Sequence, residues 1–244
     1  MTVTEDRLLD GQVRLRQSAG GYRAGMDAAL LAAACDAKAG QRVLEAGCGP
    51  GAALLAAARR RGETAFTGVE RDPDALALAR DNIALNDLAE RVDAVAGDVG
   101  QPYKTLGLKA FDAALANPPY FDDAGAIRGP APAKTGAWIA DDGLAAWLAF
   151  LLSSVREGGT VTVIHRADRL ADILGGLGAK AGSFQVRPVQ PFAQAPAKRV
   201  LVRAIKAGKA PLILLPALVL HDEGGAHSAQ AEAILRGRAA VDWA

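Results

Sequence analysis

From Arg42 to Ile205 the chain alternates short apolar runs, of strand length, with longer stretches whose apolar residues recur at helical spacing. The runs Arg42–Glu45, Ala65–Val69, Arg91–Ala96, Phe111–Leu115, Thr160–Ile164, Phe184–Val189 and Arg199–Ile205 read as seven strands. Between them, helices are expected through Ala52–Ala58, Pro73–Asn82, Leu144–Val155 and Asp168–Leu177. Pro73 suits a first helical turn. Leu144, Trp147, Leu148, Leu151, Leu152 and Val155 share one face, and Gly158-Gly159 is expected to stop that helix. Upstream, residues 5–26 alternate weakly around Leu9, Val13 and Leu15, with Gly11 and Gly20-Gly21 as breaks, which predicts a hairpin or arm over residues 1–26. Asp27 then reads as the N-cap of an Ala/Leu helix over Ala28–Ala37, opening a single domain over residues 27–244. A tail adds an apolar run, Leu212–Leu220, and a short helix, Ser228–Leu235. No internal repeat is evident. Strand and helix in alternation predict an α/β fold. Its doubly wound, mostly parallel seven-stranded sheet carries helices on both faces and ligands at the strands' carboxyl ends.

Composition narrows the class without changing the architecture. With 244 residues, half of them hydrophobic and 23% charged, the chain suits one α/β domain with modest additions. Net charge is +1, so nucleic-acid binding has to come from local patches. Leu144–Val155 is too short to cross a bilayer, and the N-terminus lacks the basic and apolar regions of a signal peptide. Cys35 and Cys48 allow at most one disulfide and form no metal-ligand pattern. The expectation is a reduced, cytoplasmic protein with no metal and no membrane partner, compatible with a monomer or a homodimer.

Candidate chemistry sits at two strand ends. The first strand runs into Ala46-Gly47-Cys48-Gly49-Pro50-Gly51, where backbone can approach a ligand closely and the next helix offers its N-terminus. Gly47, Gly49 and Ala52 satisfy a dinucleotide fingerprint, while Gly47, Gly49 and Gly51 give the E-x-G-x-G-x-G loop of S-adenosylmethionine (SAM) enzymes. A tight turn with no ligand is the plain alternative. Pro50 removes an amide that a pyrophosphate would use, which counts against NAD. Glu70, ending the second strand, can accept from ribose hydroxyls, and Asp98, after the third, from an adenine amine; either acid can instead cap its turn.

The fourth strand ends in Ala116-Asn117-Pro118-Pro119-Tyr120. Two prolines stiffen the backbone and donate no N–H. The Asn117 side-chain oxygen and the Pro118 carbonyl form a pair of acceptors suited to a planar amine gripped by both hydrogens. Such a grip lets the nitrogen become more pyramidal as it attacks a sulfonium methyl, with orientation and hydrogen bonding in place of a strong base. Tyr120 can stack on the target base. A Pro-Pro turn after a core strand is the alternative.

Four stretches together carry a resemblance. They are Gly21-Tyr22-Arg23-Ala24-Gly25-Met26-Asp27, Leu44-Glu45-Ala46-Gly47-Cys48-Gly49-Pro50-Gly51, Asn117-Pro118-Pro119-Tyr120 and Lys198-Arg199-Val200-Leu201-Val202. They resemble the bacterial tRNA1(Val) adenine-N6 methyltransferase family, over nearly the whole chain. The resemblance implies a Rossmann-like class I SAM-dependent methyltransferase fold, SAM as methyl donor, and the adenine just 3′ of a valine tRNA anticodon as target. It places Glu45, Gly47, Cys48, Gly49, Gly51, Glu70, Arg71, Asp98 and Asn117 at the cofactor, and Asn117 to Tyr120 at the reacting amine. RNA contacts fall to Arg23, Lys198, Arg199 and Arg203. From Lys198 to Lys209 there are five cations and no acid, with Arg199 and Arg203 on one face of a strand, to hold phosphates or keep an edge strand soluble. Arg7, Arg14 and Arg16 of the arm can line a solvated lid or touch RNA.

Other residues have simpler readings. His165 reads as a hydrogen-bonded structural histidine, and His221 and His227 are isolated. Cys48 is a small residue filling a turn. Arg59-Arg60-Arg61 ends a helix, so capping and RNA binding both remain open. Competing functions are methylation of rRNA or of a protein glutamine amide, an NAD-binding oxidoreductase, and a non-catalytic SAM-binding module. The Gly/Pro/Ala-rich stretch Asp122–Ala140 is expected to form a loop.

Overall fold

Val43 and Leu44 are both fully buried although they point to opposite sides, because their strand lies mid-sheet with helices on each face. The computed structural model describes residues 2–20, 25–120 and 143–244; Arg23 and the stretch Asp122–Ala140 lie outside the described residues. In chain order the strands are β1 (Val3–Leu8), β2 (Val13–Ser18), β3 (Arg42–Ala46), β4 (Ala65–Glu70), β5 (Val92–Ala96), β6 (Phe111–Ala116), β7 (Val155–Arg166), β8 (Ala181–Gln190) and β9 (Arg199–Lys206). Two short strands, β10 (Ile213–Leu214) and β11 (Leu218–Val219), follow. The helices are α1 (Met26–Ala34), α2 (Ala52–Arg60), α3 (Pro73–Leu85), α4 (Leu144–Ser154), α5 (Leu170–Gly178) and α6 (Ala229–Leu235).

The main sheet runs β10-β8-β9-β7-β6-β3-β4-β5, with β11 also on β8. β3 to β7 are mutually parallel, and β9 is antiparallel to both neighbours. The seven long strands are those expected; β10 and β11 come from the apolar tail. One face packs α1, α2, α3 and α6 against Val43, Ala113, Leu115 and Leu201. The other packs α4 and α5 against Leu44, Ala114, Ala116 and Val202. Among the described residues no helix is long and apolar enough to cross a membrane.

β1 and β2 form a separate antiparallel hairpin. Its Val13 and Leu15 are fully buried, which anchors it rather than leaving a solvated lid. Asn86 binds both backbone groups of Arg14, and Asn82 both of Arg16, at 2.7–2.8 Å. Four residues of helix rise about 6 Å and two of strand about 6.7 Å, so asparagines at this spacing can substitute for a neighbouring strand. Asn82 also donates to the Pro50 carbonyl at 2.9 Å, tying the hairpin to the glycine loop.

Three local expectations are corrected. α1 starts at Met26 with Gly25 as its N-cap, and the Asp27 side chain caps nothing. α4 ends at Ser154, ahead of the glycines, which lie inside β7. There the pairing shifts from Phe111↔Val155 to Ala113↔Thr160, an irregularity at which Gly158 takes φ +73. Finally, β9 lies between β7 and β8, so it is no edge strand, and its charges do not serve to protect an edge.

Candidate active site

Register brings the candidate residues together. Ala46 pairs with Ala116 on one side and with Val69 on the other, so Asn117, Gly47 and Glu70 leave the sheet side by side. Glu70 in turn pairs with Ala96, two residues before Asp98. The glycine loop follows β3 with Gly47 at φ +63, Gly49 at +54 and Gly51 at +92, the last being the N-cap of α2. These left-handed conformations are the ones glycine adopts at least cost. A Cβ on Gly47 would lie 2.2 Å from the Trp147 ring of α4, whereas one on Gly49 would meet nothing within 4 Å. Gly47 is thus required by packing, and Gly49 opens onto space that a ligand can enter.

Glu70 is fixed by its own backbone neighbours. One oxygen accepts from the Gly49 N–H and the other from the Asp72 N–H, each at 2.8 Å. A carboxylate has about four acceptor positions, so two remain for a diol. Asp98 accepts from the Gly100 N–H at 2.8 Å and lies 4.0 Å from Arg71. Glu45 is different: it is 4% exposed, and its Oε2 has no partner. Burial, and then the charge of Glu70, hold its carboxyl well above the usual range, against a backbone hydrogen bond from Leu54. Cys48 packs its sulfur against Gly68, and burial raises its thiol; Cys48 and Cys35 are both free and buried.

Asn117 is half-buried and, among the described residues, its amide has no hydrogen bond. Pro118 is buried and Pro119 half-buried beside it. The Tyr120 hydroxyl donates to Asp27 Oδ2 at 2.5 Å, and the Arg199 guanidinium carbon lies 4.8 Å from the ring centroid. His165 meets the same ring at 5.0 Å and 81°. The histidine is buried; no hydrogen bond of standard geometry reaches its ring nitrogens, while the Pro119 backbone lies close enough to favour its protonated form. Burial, with the cations of Arg169 and Arg166, pushes its pKa down to about 4. Trp147 Nε1 is likewise buried without an acceptor.

The RNA candidates separate. Lys198 is exposed, and its ammonium has no partner among the described residues. Arg199 donates to Asp27 at 3.0 Å. Arg203 is only 15% exposed, ion-paired with Asp36 at 2.7 Å and bonded to Gln185, so it is not available to a phosphate. The Arg59-Arg60-Arg61 triplet is structural, each guanidinium binding a main-chain carbonyl. Among the described residues no group of three or more His, Cys, Asp and Glu is placed to hold a metal ion. The sequence assigns no site role to Asp27 or Trp147, nor the contacts that Arg199 and His165 make with Tyr120. Only Asp27, inside a resembling stretch, carried any signal.

The model of the Methyltransferase small domain family matches residues 21–129. A tRNA1(Val) (adenine(37)-N6)-methyltransferase from Aeromonas salmonicida is 30% identical over 219 residues, 84% of this chain and 85% of that protein. One of the same description from Yersinia enterocolitica is 38% identical over 107 residues, 43% of this chain and 42% of that relative, so this match spans less than half the length of either. Among solved structures, a predicted O-methyltransferase from Agrobacterium tumefaciens aligns with a TM-score of 0.74 at 27% identity, covering 88% of this chain and 98% of that one. The fold is that of the class I SAM-dependent methyltransferases. By its extended likeness to the Aeromonas protein, the chain belongs to the tRNA1(Val) (adenine(37)-N6)-methyltransferase family.

Proposed function

We propose that the protein transfers a methyl group from SAM to the exocyclic N6 of an adenine in tRNA, the anticodon-loop adenine of a valine tRNA, in the cytoplasm. The observation that carries this reading is the alignment of Asn117, with its unengaged amide, beside the glycine loop and Glu70. The residues present fit the cofactor. Glu70 keeps acceptor positions for the ribose, Asp98 follows the next strand by two residues and is there for the adenine amine, and Gly49 leaves room for close approach. When bound, the cofactor supplies an electrophilic methyl on a sulfonium.

The chain's own part is orientation. The Asn117 oxygen and the Pro118 carbonyl each accept one hydrogen of the target amine, turning its lone pair toward the methyl. These bonds strengthen as the nitrogen gains positive character, so they favour the transition state over the bound substrate. Pro119 limits the freedom of that turn, and Tyr120 offers ring surface to the displaced base. The relatives' printed names support the choice of tRNA.

The test has two arms. Titration with SAM and with NADH should show saturable binding of SAM alone. Incubation with unmodified valine tRNA and SAM, followed by nucleoside mass spectrometry, should yield N6-methyladenosine. Tight NADH binding, or methyl appearing only on guanine or on a glutamine peptide, overturns the assignment.

A further inference from the structure

Asp27, Tyr120 and Arg199 come from three segments far apart in sequence: the first turn of α1, the turn after β6 and the first residue of β9. They meet on one oxygen, for Asp27 Oδ2 accepts from the Tyr120 hydroxyl at 2.5 Å and from Arg199 Nε at 3.0 Å. Arg199 closes the triangle by lying over the Tyr120 ring. We propose that Asp27 and Arg199 are positioning residues, a clamp that fixes the orientation of Tyr120 at the target base.

The geometry favours this over two simpler roles. A phosphate contact would need a free guanidinium, and that of Arg199 is shared between a carboxylate and an aromatic ring. As a stabilising ion pair it is modest, since the side chains of Arg199 and Asp27 are 32% and 14% exposed and such pairs contribute little when solvent reaches them. What the arrangement does restrict is the tyrosine. Its hydroxyl end is tied, a planar cation covers the ring and His165 meets it nearly at right angles, so both side-chain torsions are fixed before any base arrives. A pre-set ring loses less freedom on stacking, and a misplacement of about 1 Å at a reacting group can cost about a hundredfold in rate.

The inference rests on the reading that Tyr120 carries the target base. The experiment uses the full chain, SAM and a valine tRNA transcript, with 2-aminopurine replacing the target adenine in a parallel sample. Asp27→Asn and Arg199→Gln should each lower single-turnover methylation by about ten- to a hundredfold. SAM affinity should stay within about twofold and KM for tRNA within about threefold, because orientation and not binding is lost. The 2-aminopurine fluorescence change on binding should shrink in both. Arg199→Lys, which keeps the charge but loses the planar fork, should recover part of the rate. Asp27→Asn with Tyr120→Phe should be no slower than the slower single variant, since both cut the same link. Wild-type rates and fluorescence in Asp27→Asn or Arg199→Gln, or additive losses in the double variant, overturn the clamp. A loss confined to SAM affinity or to melting temperature overturns it as well. A wild-type protein that methylates no RNA instead overturns the functional reading, and the clamp's role at the base with it.

Discussion

The two ends of the parallel sheet are built on opposite rules. At the amino end, where helices return, arginines meet exposed carbonyls. Arg59 binds Asn86 O after α3 at 2.8 Å, and Arg61 binds Cys35 O after α1 at 2.7 Å. Arg60 binds Ile234 O in α6 and, at 2.7 Å, Ala239 O beyond it. Arg91 binds Ala58 O in the last turn of α2 at 2.7 Å. Four helix ends are thereby supplied with donors and with the positive charge that their dipoles favour, and of these arginines only Arg60 leaves a buried nitrogen, Nε, without a partner. At the carboxyl end the polar atoms are left over. Glu45 Oε2, Trp147 Nε1 and both nitrogens of His165 are buried without partners, and Asn117 stands open. A buried unpaired group costs about 1–3 kcal/mol, so such a cluster is tolerated where function gives a reason for it. One end holds the fold, and the other keeps bonding capacity for ligands.

The largest expected effect tests the open end. Asn117→Ala should slow single-turnover methyl transfer by at least about a hundred- to a thousandfold, as removal of one transition-state hydrogen-bonding group does elsewhere. SAM affinity should move by only a few fold. Melting temperature should hold, because the side chain makes no hydrogen bond among the described residues. A variant with wild-type rates would remove Asn117 from the chemistry.

Next comes the satisfied end. Arg60→Ala leaves the Ala239 carbonyl without its side-chain donor and the Ile234 carbonyl with only the Gly237 N–H, and should lower unfolding free energy by about 2 kcal/mol in urea titration. The rate per folded molecule should be unchanged. A large kinetic loss with intact stability would erase the distinction between the two ends.

That distinction was only partly legible in the sequence. The seven long strands follow from short apolar runs punctuated by Gly and Pro, and burial on both faces of Val43–Leu44 or Ala113–Ala116 is what such runs encode. Glycine spacing and Asn117-Pro118-Pro119-Tyr120 are local patterns, so they too could be found by reading. The arginine triplet could not be assigned, because its acceptors lie 26 to 179 residues away. Asp27 looked like a cap because an Asp before an Ala/Leu run satisfies every local rule; only the arrival of Tyr120 and Arg199 gives it another task. The helix over Leu144–Val155 ends within one residue of the expected place, but not at Gly158-Gly159, because those glycines lie inside β7, where its pairing with β6 shifts register.

His165 offers a smaller, pH-dependent test of the open end. Its pKa is about 4 in the fold against an ordinary 6.5, so the unfolded chain binds the extra proton first. Stability should therefore fall as pH drops through 6.5 toward 4, by about 1.5 kcal/mol between pH 6.5 and 5. Arg166, Arg169, Asp168 and Tyr120 are the charged and titratable groups around it; the two arginines push in the same direction, and Asp168 and the Pro119 backbone oppose them. Urea titrations at those two pH values should show the slope, and His165→Gln should flatten it. An equal slope in the variant would assign the acid sensitivity elsewhere.

The smallest effect separates two cations only five residues apart. Lys198 is exposed with an ammonium that has no partner among the described residues, whereas Arg203 is half-buried against Asp36 and Gln185. Each phosphate a protein neutralises adds about 0.7 to the salt slope for single-stranded and about 0.9 for duplex nucleic acid. Lys198→Gln should therefore flatten log K against log[salt] for valine tRNA by just under one unit, with SAM affinity unchanged. Arg203→Gln should leave the slope alone and cost stability instead, because Asp36 and Gln185 lose their partner. Both slopes can be measured by filter binding between low and physiological salt. A flatter slope in Arg203→Gln would mean that the ion pair with Asp36 opens to RNA, and that the strand's position inside the sheet does not keep its arginine from the substrate.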